Sequence, residues 1–233
     1  MIMSDRQVKG GTRILYGRRQ GKPLRKGQQR LIESWLPKLA ISLETDQIEL
    51  LDLFARPRRA FWLEIGFGSG EHLAWQAKAN PDVGFIGCEP YINGVATLLG
   101  KLEENGADNV RLHNDAAELV IEKLPDASIE RAFILFPDPW PKSGHKKRSF
   151  VSKGNIESLA RVIKPGGELR IGTDHEDYGA WILWHMLQSD KFTWIAENPE
   201  DWRERGSDWP PTRYEMKAVE KGLRPVYYRF RRQ

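Results

Sequence analysis

The sequence predicts an α/β fold: a seven-stranded, mostly parallel sheet with helices on both faces and an antiparallel last strand. Three observations carry this. From Ala60 onward, short apolar runs of strand length alternate with helix-length segments, the pattern of a parallel sheet built from crossover units. The first such run ends in a glycine turn, Gly66-Phe67-Gly68-Ser69-Gly70. A long irregular connection, Asn198 to Arg224, precedes the last run, and a chain returning that way enters antiparallel.

The elements follow in order. Leu31, Trp35, Leu36 and Leu39 have helical spacing, and Pro37 cuts that helix short. Ile48 to Phe54 is a second short helix candidate, ended by Arg56-Pro57. The strands are Ala60–Ile65, Val83–Cys88, Val110–His113, Arg131–Phe136, Glu168–Gly172, Phe192–Ala196 and Val226–Phe230. The helices between them are Glu71–Asn80, Ile92–Asn105, Ala116–Lys123, Asn155–Ile163 and Asp177–Gln188. Asn80-Pro81, Gly106, Pro125 and Lys164-Pro165-Gly166-Gly167 supply the stops. On the last of these helices Trp181, Trp184 and His185 share a face.

The chain has 233 residues, 40% of them hydrophobic, enough for one domain with its own core over 31–233. No apolar run approaches the ~20 residues that span a bilayer, so no membrane association is expected. The N-terminus lacks the apolar stretch of a secretory signal. A lone cysteine, Cys88, rules out an intramolecular disulfide and suits a reducing, cytoplasmic setting. Monomer and homodimer both fit the sequence. Charge is unevenly spread. Residues 1–30 carry nine Lys and Arg against Asp5, a net of +8 in a chain of net +4, which leaves −4 for the rest. With few large apolar residues, 1–30 reads as a disordered arm that contacts RNA. A solvated tail without a partner is the plainer alternative.

Phe136-Pro137-Asp138-Pro139-Trp140-Pro141-Lys142 organises the functional reading. Three prolines after a buried strand forbid continuation as strand or helix. The result is a stiff shelf at the carboxyl edge of the sheet, where α/β proteins bind ligands. It carries a carboxylate, an indole and an ammonium, and the basic stretch to Arg148 follows. That combination suits a nucleobase on a phosphate backbone. Near the glycine turn, position 71 is glutamate where a dinucleotide fingerprint wants glycine, and Glu64 lies just upstream. Carboxylates at a helix N-terminus disfavour a pyrophosphate and favour a ligand with positive charge, such as S-adenosylmethionine. Glu89, 21 residues after Gly68, ends the second strand, where an acid meets ribose hydroxyls. Asn114 or Asp115, ending the third, could meet the adenine amino group. Each of these acids could instead form a turn or cap a helix.

The sequence closely resembles the bacterial tRNA (guanine-N7-)-methyltransferases. The matching pieces are Glu64-Ile65-Gly66-Phe67-Gly68, Gly87-Cys88-Glu89, Asn114-Asp115-Ala116, the Phe136–Lys142 block with Lys146-Lys147-Arg148, Gly172-Thr173-Asp174, and Thr212-Arg213-Tyr214-Glu215. The glycine turn is common to all class I methyltransferases; the proline block and the late Thr-Arg-Tyr-Glu block are specific. The resemblance implies a Rossmann-like class I methyltransferase fold, S-adenosylmethionine as cofactor, tRNA as partner, and methylation of a guanine N7 in the variable loop. It implies donor contacts from Glu64, Glu89, Asp115 and Asp138, with Asp138 catalytic; the glycine turn and strand-end reading adds Gly66, Gly68, Gly70 and Asn114 to the donor site. Substrate contacts fall on Lys142, Asp174, Thr212, Arg213, Tyr214 and Glu215. RNA contacts fall on Gly144, His145, Lys146, Lys147, Arg148 and Ser149.

Chemistry agrees with that reaction. Guanine N7 has an exposed lone pair, so methyl transfer needs alignment and dryness rather than a general base. A carboxylate such as Asp138 would stabilise the cation that develops. Glu215 and Asp174 would accept from N1 and N2 of guanine, with Thr212 or Arg213 at O6. Yet Thr212 with Glu215 is also a helix capping box, and Thr173 or Asp174 with Glu176 or Asp177 is also a helix start. Rival functions are an amino-methyltransferase, since Asp138-Pro139-Trp140 is similar to an Asp-Pro-Pro-aromatic loop, and a non-catalytic RNA-binding module. The five histidines have no metal-ligand spacing, and no metal is expected.

Overall fold

The computed structural model describes residues 18–140 and 148–233. Its seven strands are β1 Ala60–Ile65, β2 Val83–Cys88, β3 Val110–His113, β4 Ile129–Leu135, β5 Ile163–Thr173, β6 Phe192–Trp194 and β7 Val226–Arg232. They form one sheet in the order β3-β2-β1-β4-β5-β7-β6. β1 to β5 pair in parallel, and β7 runs antiparallel to both neighbours, as the long connection before it predicts. The helices are α1 Lys26–Ser34, α2 Leu36–Leu39, α3 Glu71–Ala79, α4 Ile92–Asn105, α5 Ala117–Lys123, α6 Lys153–Val162, α7 Glu176–Leu187, α8 Glu200–Arg203 and α9 Arg213–Glu220.

Side-chain alternation along β1 divides the core. Leu63 and Ile65 join Ile86, Val120, Ile134 and Ile171 on one face. Trp62 joins Phe85, Phe133, Leu73 and Leu98 on the other. Glu64 shares the parity of Trp62 and therefore points at α3. A strand covered on both faces reads as a continuous apolar run, which is why β1 and β2 are legible to the residue.

Three expectations need correction. Ile48–Phe54 forms turns, not a helix; Ile48, Leu50 and Phe54 are buried as irregular plugs of the core. β5 begins at Ile163 instead of Glu168, because the Pro165-Gly166-Gly167 stretch bulges out between two registers with β4 while the strand continues. Gly166 takes φ +78 there. Within the arm, residues 18–30 are ordered. Arg19 O accepts from Ile92 N at 2.9 Å, and Asn93 bonds Gly21 N and Lys22 O, each at 2.8 Å. The helix α1 then starts at Lys26, and Arg30 meets Glu103 of α4 at 2.9 Å. Composition reported too little apolar surface to order this segment, but backbone and amide hydrogen bonds to the start of α4 supply the anchorage.

Candidate active site

The strand order reverses direction between β1 and β4, the switch point where open α/β sheets bind ligands. A cleft of about 640 Å³ lies there, within the usual range for small-ligand sites. Its floor is the glycine turn. Gly66, Gly68 and Gly70 have φ of +69, +55 and +71, a region that L side chains rarely adopt. Gly66 faces open space, whereas a Cβ on Gly68 would stand 3.2 Å from the Tyr214 ring.

Glu89 fastens this turn. Its Oε2 accepts from Gly68 N at 2.8 Å and its Oε1 from Tyr91 N at 2.9 Å. Burial raises its pKa, those two amides oppose the rise, and the charges of Asp138 and Glu64 add to it. Three carboxylates therefore share one field, and Glu71 also lines the cleft. Glu64 is held by the His72 ring, with Nδ1 to Oε2 at 2.7 Å, and both are buried.

The shelf forms the opposite wall. Phe136 N continues the β4–β5 ladder with a 2.7 Å bond to Gly172 O. Phe136 then takes φ +51, and Trp140 takes φ +46 at the far end. Aromatic residues with positive φ are outliers, held only where the surroundings over-determine them. The turn leaves Asp138 exposed at the mouth of the cleft. Arg148 lies 5.3 Å over the Trp140 ring.

Several site residues predicted from the sequence fall elsewhere. Gly70 is the N-cap of α3 and lets that helix close on Leu98; it is a packing glycine and does not line the cleft. Asn114 donates to Glu89 O at 2.7 Å. Asp115 accepts from Ala116 N at 2.8 Å and pairs with Arg19 at 2.9 Å. Asn114 thus ties the end of β3 to the end of β2 and Asp115 ties it to the arm, and Ala116 and Ala117 line the cleft in their place. Ser149 lines it too, but is buried with its hydroxyl 2.6 Å from Tyr178 OH, which turns it away from an RNA surface. Glu215 is buried as well. It accepts from Arg205 at 2.8 Å, Tyr227 OH at 2.7 Å and Thr212 N at 3.3 Å, while Thr212 caps Glu215 N at 3.1 Å. The capping box holds, and it absorbs the carboxylate expected at a guanine edge. Arg213 is exposed and outside the cleft lining, whereas Tyr214 lines it.

Asp174, like Arg213, lies outside the cleft lining, but no helix cap occupies it. α7 is capped by His175, which accepts from Tyr178 N, and Thr173 Oγ1 accepts from His175 N. Asp174 takes part in neither cap and sits half-buried at the end of β5. Lys142 and Gly144–Lys147 lie outside the described residues.

Two features escaped the sequence. Arg18 lines the cleft, carried there by the ordered arm. Trp209, almost wholly buried, packs edge-on to Phe133 and Tyr227 and anchors the segment leading to Thr212. Asp208 beside it forms a two-bond clamp with buried Arg170, both bonds 2.9 Å. The 198–224 stretch has no period, and nothing local marks Trp209 as core or Asp208 as the anchor of Arg170.

An acid-rich cleft over a glycine turn, at the switch point of a sheet whose last strand is reversed, defines a class I methyltransferase. The fit to S-adenosylmethionine is chemical: the carboxylates of Glu64, Glu71 and Glu89 suit a cationic ligand, and Gly66 leaves its backbone open to close approach. A family model described as "Putative methyltransferase" matches residues 58–227. The tRNA (guanine-N(7)-)-methyltransferase of Zymomonas mobilis is 49% identical over 220 residues, covering 94% of each chain. That of Rhodospirillum rubrum is 46% identical over 222 residues, covering 94% of this chain and 87% of its own. The crystal structure of an rRNA methylase from Streptococcus thermophilus superposes with a TM-score of 0.52 at 15% identity, over 76% of this chain and 88% of that one, a likeness of fold alone. The chain belongs to the tRNA (guanine-N7-)-methyltransferase family.

Among the described residues no cluster of side chains could hold a metal ion, and no helix is long and apolar enough to cross a membrane.

Proposed function

We propose that this chain methylates N7 of a guanine in the variable loop of tRNA, and that donor and guanine meet between the glycine turn and the proline shelf. One observation carries the placement: Gly68, Glu89, Asp138 and Tyr214, drawn from four separate segments, line a single cleft. S-adenosylmethionine, when bound, supplies an electrophilic methyl group on a cationic sulfur.

Glu89 and Glu64 hold the donor from the β1–β2 side, Glu89 fixed by its two backbone amides and Glu64 by His72. Asp138 faces the acceptor. N7 needs no deprotonation, so the carboxylate acts by charge, stabilising the purine as it becomes cationic. Tyr214 and Trp140 flank the cleft, where bound donor and guanine would displace water between them and strengthen that charge effect. Asp174, which takes no part in the His175 cap of α7, is the acid for the guanine N1 and N2 donors, and Arg213 with the Lys142–Arg148 stretch contacts phosphates. The cytoplasm, where tRNA is found, is the compartment this implies.

Methylation of a tRNA pool with labelled donor tests this, followed by borohydride treatment. Strand scission in the variable loop is the expected result. Label in an amino group that resists scission would favour the amino-methyltransferase alternative and overturn the assignment.

A further inference from the structure

His72 is nearly wholly buried, and the reaction outlined above gives it no step. Its Nδ1 lies 2.7 Å from Glu64 Oε2, and its Nε2 lies 3.2 Å from Gln76 Nε2. The orientation of the Gln76 amide is set independently. Gln76 Nε2 also lies 2.8 Å from Asp208 O, which can only accept, and Gln76 Oε1 lies 3.1 Å from Asn80 Nδ2, which can only donate. One amide hydrogen therefore goes to Asp208 O, and the other is aimed at His72 Nε2. A ring nitrogen facing an N–H donor must offer its lone pair. The proton then sits on Nδ1 and is donated to Glu64.

We infer that His72 is a positioning residue for the methyl donor, held by Gln76 as the Nδ1–H tautomer so that its N–H fixes the Glu64 carboxylate at the cleft. This rests on the assignment of Glu64 to the donor site. A cationic imidazole would cancel the charge Glu64 offers to a cationic ligand; a neutral donor fixes the carboxylate without cancelling it. Position follows from spacing. Glu64 points from β1 toward α3, and His72 and Gln76 are one helical turn apart on the α3 face that meets it. Phe133 closes the ring from the sheet side at 4.6 Å, and Trp209 at 6.2 Å. The chain of bonds ends at Asp208 O, on the segment that leads to Thr212 and Tyr214, so the donor site and the Tyr214 side of the cleft share one support.

The first test is the tautomer in the intact protein, read by nitrogen-15 NMR of the histidine rings at pH 7. A protonated Nδ1 with an unprotonated Nε2 is expected for His72; an imidazolium or an Nε2–H form overturns the inference. The second is calorimetric binding of S-adenosylmethionine without tRNA. His72→Phe is expected to weaken binding about tenfold to a hundredfold, the loss of one hydrogen bond to a charged group. His72→Asn, which returns an N–H near the Nδ1 position, is expected to recover most of it. Gln76→Met, which keeps length and removes the donor, should weaken binding by about tenfold or less. If Glu64→Gln weakens binding and His72→Phe does not, the relay fails while Glu64 remains a donor-site residue. If Glu64→Gln binds as well as the unaltered protein, the assignment of Glu64 itself falls.

Discussion

Glu89 Oε2 accepts the backbone amide of Gly68 at 2.8 Å, locking the end of β2 to the turn that follows β1. This one bond makes the glycine turn a fixed floor, and it leaves the carboxylate buried and short of cationic partners. Burial first, then the nearby Asp138 and Glu64 charges, raise its pKa against two opposing amides. Two consequences have opposite signs. A carboxyl with a raised folded pKa contributes stability below the ordinary glutamate range and loses it as pH rises through the raised value. Donor binding wants the anion, so affinity for S-adenosylmethionine should fall, on acidification, at a higher pH than an ordinary carboxylate would set. Calorimetric titrations across pH check this, and Glu89→Gln should remove that step.

Gly94 of α4 should tolerate no side chain. A Cβ there would stand 2.2 Å from Gly68 O, on the floor of the cleft. The contact is with backbone, so neither partner can swing aside. Gly94→Ala should cost about 1–3 kcal/mol of stability and lower donor affinity by shifting the turn. Thermal melts with and without S-adenosylmethionine would reveal both; an unshifted melt would contradict the packing.

Thr212 and Glu215 cap α9 reciprocally, and Glu215 also takes Arg205 and Tyr227. Thr212→Ala should cost about 0.5–2 kcal/mol, and Thr212→Ser much less. Glu215→Gln should lower the melting temperature together with activity, because its carboxylate supports the helix carrying Tyr214. A variant with full thermal stability and no activity would instead return Glu215 to the guanine edge.

Arg170 is 3% exposed and depends on Asp208 and Glu168. Burial pushes the Asp208 carboxyl up, but hydrogen bonds from Arg170 and its charge outweigh this and hold it below the ordinary range. Its contribution to stability is present above the usual aspartate range and is lost as pH falls through the lowered value. Asp208→Ala should cost about 1 kcal/mol near neutrality, since solvent at the half-exposed carboxylate screens the bonds to Arg170, and the loss should vanish in strong acid. Denaturant titrations at two pH values would measure it.

Local chemistry settled most of the scaffold. Strands β1, β2 and β3 and helix α4 have the ends that apolar runs, Gly106 and the prolines dictate, because a strand buried on both faces and a helix stopped by glycine leave unambiguous local marks. The glycine turn, Glu89 and the Asp138 shelf were legible for the same reason: each sits where a strand must end.

Folding in three dimensions decided the rest. Whether an acid faces a ligand or a backbone amide depends on what the chain brings to its other side. Asp115 meets Arg19 from 96 residues away, Glu215 meets Tyr227, and Gln76 meets Asp208 across 132 residues. Hydrogen-bond partners so distant along the chain leave no periodicity or spacing to read, so the sequence named the acids and only the fold could say which remained for the ligand.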